Sequence, residues 1–469
     1  MKETLINTLN NLEKGDMNMN NNINKEINNL GKMANNVIQL GEEQLKIYNI
    51  MENTYDNMLI LGKAGTGKSE LLKYYKEHTI KSVLVVSPTG IAALNVGGKT
   101  IHSTFRFDFG LQYTDKILGE WFTHYDGIFD EIDTIIFDEI SMIRADLFEA
   151  INIILQNGRK CILPFGGIQV IGFGDLYQLP PVAKGEETMR YLQDTYGGIM
   201  FYDTPAFQEG EFKIYELGHI YRQSDFHFKN LLNRVRKGEK SKDLLDELNK
   251  RVVIPDINDN IITITSTKPL ADGINKRKLD ELKGKEYTYL GILEGNLKEN
   301  DLPTDVLLRL KEGSQIIMVV NDKKGRWVNG TAGTISSLSD DSITVKIRGI
   351  DYKIERHTWD KLKPYYDEKT KKVEEYIEGS FKQFPVKLAW ATTVHRSQSK
   401  TYNSLLIDLG DGAFEDGQLY VALSRCTSLD KIYLKKPIRP TDIKVNKSVV
   451  NFMKTHEIIS FYEDENNLA

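Results

Sequence analysis

Two cysteines, Cys161 and Cys426, are all that the 469 residues contain. That is too few for a disulfide scaffold, a cysteine-rich zinc finger or a four-cysteine iron–sulfur cluster, and it fits a reduced compartment. No apolar run approaches the ~18 residues that span a bilayer. The opening MKETLINTLNNLEKGDMNMNNN has neither an apolar signal core nor an Arg-rich face, so a cytoplasmic protein is expected, of a bacterial nucleoid or a virus-infected cell, and not a secreted one. Positive charge is not in excess either: 61 Lys and Arg face 66 Asp and Glu, a net charge of -5. Any grip on nucleic acid must therefore sit in a groove rather than spread over the surface. What remains is ordinary globular composition, 40% hydrophobic and 27% charged, which excludes wholesale disorder. The length predicts roughly two to four folding units and shows no solenoid repeat.

Residues 1–38 are Asn-rich, with little apolar periodicity, and read as a mobile tail or a poorly anchored helix pair. From 39 to about 222, short apolar runs alternate with helical stretches. MLIL (58–61), VLVVS (83–87), TIIFD (134–138) and QVIGF (169–173) each precede a turn signal, the pattern of parallel βα units. An aromatic and charged segment, about 105–129, interrupts the alternation. A second α/β region is expected over 223–300 and 384–440, with a helix capped by Ser224 or Asp225 and stopped by Gly238. Its strands are NIITITSTK (260–268), VKLAW (386–390), LLIDLG (405–410) and KIYLKK (431–436). Between 301 and 383 the style changes to short alternating strands around Asn-Gly and Gly turns, predicting a small antiparallel barrel. The charged stretch 365–376 reads as a solvated hairpin or helix end, and 441–469 as a C-terminal segment without assigned chemistry.

The strongest signal is GKAGTGKS, Gly62 to Ser69, between a strand and a helix. Glycines at such a turn let successive backbone N–H groups face inward, where they and the helix N-terminus hold phosphate oxygens. Gly62, Ala64, Gly65, Thr66 and Gly67 form that cradle. Lys68 is placed to bridge the β- and γ-phosphates and Ser69 to ligate Mg²⁺. The competing reading, a Gly-rich turn before a surface helix, is much weaker in this setting. GGKT at 97–100 mimics the ending, but Ala93 stands where the first glycine belongs. One cradle in two lobes predicts one nucleotide, ATP, in the cleft between them.

TIIFDE places Asp138 and Glu139 at the carboxyl edge of a sheet, where open α/β sheets hold ligands. Asp138 suits the metal shell, and Glu139 suits the general base that polarises attacking water. GDLYQLPPV (174–182) puts Asp175 and Gln178 after another strand. Gln178 can sense a γ-phosphate there, although a plain turn explains that motif equally well.

These segments, in this order, resemble superfamily-1 helicases, most closely the PIF-one/RecD/Dda branch, superfamily 1B. Gln44 in EEQLKIYNI looks like the adenine-reading Q motif. SPTGIAALNVGGKTIHSTF (87–105) is similar to motif Ia, FDEISMI (137–143) to motif II and GFGDLYQLPPV to motif III. LGHIYRQSD (217–225), LAWATTVHRSQSKTY (388–402) and GQLYVALSRC (417–426) are similar to motifs IV, V and VI. The resemblance implies an α/β fold of two RecA-like P-loop NTPase lobes with parallel sheets. It adds a Src-homology-3-like barrel at VNGTAG (328–333) inserted in the second lobe, and a short wedge in the first.

The resemblance further implies that Arg222 and Arg425 are arginine fingers reaching the γ-phosphate from the second-lobe side, where such a group can be worth about 10³–10⁵ in rate. It points to Pro88, Thr89, His102, Phe105, Thr393, His395 and Gln398 as contacts to single-stranded DNA. For Phe105, base stacking and a core role stand even. Trp327 reads as barrel core before exposed stacking. No Cys/His cluster accompanies either histidine, so neither is read as a metal ligand. Ser399 replaces the family glycine of motif V, a change of backbone preference that removes no catalytic group. The implied activity is that of an ATP- and Mg²⁺-dependent DNA helicase. It would act as a monomer on single strands and on single-strand/duplex junctions, 5′-to-3′, with G-quadruplexes or RNA–DNA hybrids allowed. The alternatives are a single-strand translocase, or a motor subunit of a repair or recombination complex, that does not unwind alone.

Overall fold

The computed structural model describes residues 39–107, 110–113, 127, 129–183, 185–222, 225–253, 261–295, 297, 302–322, 324–327, 329–367, 372–398 and 400–462. The N-terminal tail, most of the wedge segment, Ser224 and Ser399 lie outside them. No helix among the described residues is long and apolar enough to cross a membrane.

The first lobe is built on α1 (Glu42–Asn53), β1 (Met58–Gly62), α2 (Lys68–His78), β2 (Val83–Ser87), β3 (Lys99–Thr100), β4 (Thr134–Phe137), α3 (Ala145–Gly158), β5 (Gln169–Gly174) and β6 (Lys213–Leu217). The strands pair in the order β6-β1-β5-β4-β2-β3, all parallel. β1, β4 and β5 are buried along their whole length. Helices cover both faces, which explains the continuous apolar runs. Because the strands share one direction, Gly62, Ser87, Phe137, Gly174 and Leu217 all end at the same edge, and the phosphate loop and the segments similar to motifs Ia, II, III and IV leave from it.

After α4 (Phe226–Arg236), the chain lays down β7 (Ile262–Thr265) and α5 (Lys268–Glu281), then leaves the second sheet for a long antiparallel excursion. This comprises β8 (Tyr287–Leu290), β9 (Ile292–Gly295), β10 (Leu307–Leu310), β11 (Gln315–Met318), β12 (Ala332–Leu338), β13 (Ile343–Ile347), β14 (Ile350–Ile354), β15 (His357–Asp367), β16 (Lys372–Gln383) and β17 (Val386–Leu388). It returns with β18 (Ala391–Thr393), β19 (Leu405–Asp408), α6 (Gln418–Leu423) and β20 (Ile432–Leu434). The second-lobe sheet is parallel, in the order β18-β7-β19-β20. Asp225 caps α4 by accepting from the His227 N–H at 2.9 Å, and Gly238 stops it with φ +80.

The excursion departs from a single barrel over 301–383. Its strands form a five-stranded sheet β14-β13-β12-β11-β17, the pair β10-β8, and a sheet in which the long β15–β16 hairpin carries β9. β8 and β9 thus begin the antiparallel set at residue 287. VKLAW does not resume the parallel style as a unit: Val386–Leu388 pair antiparallel with β11, and Val386 is buried beside Phe384 and Trp327 in the excursion's own core. The chain rejoins the second lobe at Trp390, whose carbonyl accepts from the Thr263 N–H at 2.7 Å, and at Ala391–Thr393 of β18. Trp327 is 6% exposed, a core residue.

The C-terminal segment closes back on the first lobe. α7 (Lys447–Thr455) buries Val449 and Phe452 in that lobe's core, and Ile458–Ile459 add a parallel strand beside β6. Phe452 stacks on Tyr202 at 4.4 Å between ring centroids. Phe452→Ala is expected to destabilise the chain by about 3–5 kcal/mol, read as a lower midpoint of chemical unfolding.

Candidate nucleotide and nucleic-acid site

The turn after β1 holds Gly65 and Gly67 at φ +87 and +76, left-handed values that cost glycine least. A Cβ on Gly67 would lie 2.4 Å from Gln44 Nε2, and one on Gly62 would lie 2.5 Å from Thr66 Oγ1, so both positions need close backbone approach. Gln44 is 3% exposed. Its Nε2 donates to the Gly67 carbonyl at 3.0 Å, and its Oε1 accepts from the Gly41 N–H at 2.9 Å. The amide therefore clamps the loop to the start of α1.

Lys68 donates to the carbonyls of Gly62 and Lys63 at 2.7 and 3.0 Å. Burial holds its amine below the ordinary lysine range, while Asp175 and Glu139 pull the other way. Ser69 opens α2, half-buried. β4 delivers Asp138, 8% exposed. Burial first, then the neighbouring Glu139 carboxylate, push Asp138 up to about 7. Glu139 itself sits at φ +54, a left-handed backbone uncommon outside glycine and a mark of functional sites.

The two arginines arrive differently. Arg425 follows α6 and is 2% exposed. Its guanidinium is held by the carbonyls of Val421, Ser397 and Lys400 and by Ser424 Oγ, at 2.8–3.4 Å. Burial, then Arg222, push it down to about 10. Arg222 does not come from the second lobe. The Tyr221 and Arg222 N–H groups donate to the Gly65 carbonyl at 2.8 and 3.3 Å, which fixes this backbone to the phosphate loop. Its guanidinium reaches across to the Ser424 carbonyl at 3.3 Å. Glu139 lies close enough to favour the charged forms of Lys68, Arg222 and Arg425. Among the described residues these three cations make no ion pair within salt-bridge distance. Such an arrangement can receive a polyanion and stabilise charge that develops on it.

Gln178 is 6% exposed and stands at the lobe boundary. A Cβ on Gly417, whose φ is +70, would come within 2.5 Å of the Tyr177 and Gln178 carbonyls. The lobes therefore touch backbone to backbone.

Pro88 and Thr89 follow β2, both half-buried, with Thr89 Oγ1 accepting from the Ala92 N–H at 3.3 Å. Thr393 ends β18 and accepts from the Arg396 N–H at 3.3 Å. His395 Nε2 lies 2.9 Å from Glu415 Oε2. Gln398 is 7% exposed and its Nε2 finds no acceptor among the described residues. Burial, then Arg144, hold the His102 imidazole below its ordinary range. Phe105 departs from a stacking surface. It is fully buried, parallel to Phe129 at 5.2 Å and beside Phe107 at 5.8 Å, because its ring fills the first-lobe core.

Sequence reasoning passed over Tyr420, Arg236, Gly417 and Tyr221. Tyr420 reads as one more apolar residue of LYVALSR, and Arg236 as a helix-end cation. Tyr221 left a clearer signal, an aromatic next to an assigned arginine. Half-exposed, its ring packs on His219 at 4.4 Å and its hydroxyl donates to Gln44 Oε1 at 3.4 Å.

The geometry agrees with comparisons to known proteins. Residues 39–243 match the model of the PIF1-like helicases. An ATP-dependent DNA helicase Pif1 of Bdellovibrio bacteriovorus is 32% identical over 91% of this chain and 94% of its own. The chain belongs to the PIF1-like helicase family. Among solved structures, Bacteroides sp Pif1 in complex with ADP-AlF4 is 34% identical, with a TM-score of 0.75 over 89% of this chain and 96% of that one. Bacteroides Pif1 bound to ssDNA is 35% identical at a TM-score of 0.71, with the same coverage. In this Pif1-family chain, Gly417→Ala is expected to lower ATP turnover about tenfold or more by forcing the lobes apart. Steady-state hydrolysis, with circular dichroism confirming an intact fold, checks it.

Proposed function

We propose that this chain is an ATP- and Mg²⁺-dependent DNA helicase that moves 5′-to-3′ along single-stranded DNA and opens duplex ahead of it. The observation that carries the reading is the meeting of Lys68, Arg222 and Arg425 with the acid pair Asp138–Glu139 at a cleft between two parallel-sheet lobes. The loop from Gly62 to Ser69 holds the triphosphate, with Gly65 and Gly67 supplying backbone N–H groups, while the Ala64 N–H is already bonded to Tyr420. Lys68 leaves its carbonyl partners for the β- and γ-phosphates. Gln44 and Tyr221 frame the base. Glu139 takes the proton from attacking water, Gln178 senses the γ-phosphate, and the arginines meet the charge of the transition state.

Ser69 and Asp138 fit Mg²⁺: a buried carboxylate crowded by its neighbour is relieved by a dication. When bound, Mg²⁺ neutralises charge on the phosphates. Hydrolysis loosens the arginine contacts, so cleft closure follows nucleotide state. Pro88, Thr89 and His102 on one lobe and Thr393, His395 and Gln398 on the other hold the strand between them. Alternate gripping then becomes movement. Phosphate contacts of this kind weaken as salt rises.

Lys68→Ala is expected to abolish turnover, and Glu139→Gln to retain ATP while hydrolysing it slowly; nucleotide binding and hydrolysis measured side by side check both. Displacement of a labelled strand from 5′-tailed duplex, with none from 3′-tailed duplex, is the result expected of the wild type. Failure on both tails despite DNA-stimulated hydrolysis would instead favour a translocase, or a motor subunit that does not unwind alone.

A further inference from the structure

A buried chain of polar groups crosses the lobe boundary behind the phosphate loop. The Ala64 N–H donates to Tyr420 Oη at 3.0 Å, and the Tyr420 hydroxyl donates to Asp175 Oδ2 at 2.9 Å. Arg236 Nε and Nη2 donate to Asp175 Oδ1 at 3.1 and 3.0 Å. Arg236 also approaches Glu216 at 3.6 Å, and its guanidinium lies 4.2 Å from the Tyr177 ring centroid. Ala64, Asp175, Tyr177 and Glu216 belong to the first lobe, Tyr420 and Arg236 to the second, so the chain alternates between them. Tyr420, Asp175 and Arg236 are 3%, 0% and 4% exposed.

The partners fix the direction of each bond. A backbone N–H can only donate, so the phenol oxygen accepts from Ala64 and its proton goes to Asp175. Burial alone would raise the Asp175 carboxyl. The Arg236 and Lys68 charges, with hydrogen bonds from Arg236 and Tyr420, outweigh burial and keep it ionised. Burial and the Asp175 charge push the Tyr420 phenol above its ordinary range, so it remains a donor. Tyr420 also lies on α6, which Arg425 follows by two residues, and Arg425 Nε donates back to the Val421 carbonyl at 2.9 Å. One short helix thus bonds the phosphate loop through one residue and presents a guanidinium through another.

We propose that Tyr420 is a positioning residue for ATP hydrolysis. Its hydroxyl pins the phosphate loop at Ala64 to the helix that precedes Arg425, with the Asp175–Arg236 pair holding the phenol in place, so the spacing between loop and guanidinium is set by a buried hydrogen bond. The proposal rests on the ATPase reading above and has Tyr420 act through Ala64 and Arg425. If Tyr420 only fills the core between Ala64 and Leu423, its hydroxyl affects stability and leaves chemistry alone.

Tyr420→Phe in the full chain keeps the ring and removes the hydroxyl. Turnover of ATP with saturating oligo-dT is expected to fall about tenfold or more, while the KM for ATP and the oligonucleotide affinity stay within about twofold of wild type. Arg236→Lys keeps the charge but loses the two-pronged grip on Asp175. It should lower kcat in the same direction by a smaller factor. A Tyr420→Phe protein with wild-type kcat would overturn the proposal. So would one whose only changes are a lower melting temperature or a raised KM, and so would an Arg236→Lys protein with unaltered kcat. A wild-type chain whose hydrolysis ignores oligo-dT sinks the activity reading itself, which keeps the two failures apart.

Discussion

Positive charge drawn partly or wholly out of water, with no carboxylate ion pair among the described residues, governs this molecule. An isolated cation in a low-dielectric interior is costly, and the chain places Lys68, Arg222 and Arg425 together at one cleft. Carbonyl oxygens make that tolerable: Gly62 and Lys63 for the lysine, Val421, Ser397 and Lys400 for Arg425, and Ser424 for Arg222. A carbonyl solvates a cation without cancelling its charge. The site keeps its attraction for phosphate because, among the described residues, no acid lies within salt-bridge range of these cations, while Glu139 stands near enough to favour their charged forms. Contrast Arg236, which is paired with Asp175 at 3.0 Å and holds that carboxylate against Tyr420.

Much of this was legible in the sequence because the phosphate loop depends on local rules. Gly65 and Gly67 must adopt positive φ, a strand must precede them and a helix must follow, and all three demands leave marks within a dozen residues. The parallel strands were equally plain, since burial on both faces writes an uninterrupted apolar run, as at Met58–Leu61 and Thr134–Phe137. The resemblance to a helicase branch, confirmed by the family match, added what no local rule supplies, the pairing of distant segments.

Two readings missed, and an even one was decided, for a shared reason: they turned on tertiary partners. Phe105 sits in a motif that invites a nucleic-acid role, yet Phe107 and Phe129 enclose it. Val386–Leu388 carry the apolar pattern of a second-lobe strand, yet the free edge of β11 claims them. Arg222 is implied by the resemblance to reach the phosphate from the second-lobe side, yet its backbone is bonded to Gly65 in the first lobe. Tyr420 was invisible for the converse reason, since an aromatic within LYVALSR looks like filler until its hydroxyl is seen between Ala64 and Asp175.

The return of residues 447–459 to the first lobe carries a mechanical consequence. The polypeptide crosses the gap twice, once on leaving β6 for α4 and once on coming back from β20 to α7, so the halves are joined at two points. A body pinned at two points loses its freedom to slide or to drift away. It keeps mainly rotation about the line through the pins, the motion of a door on its hinges.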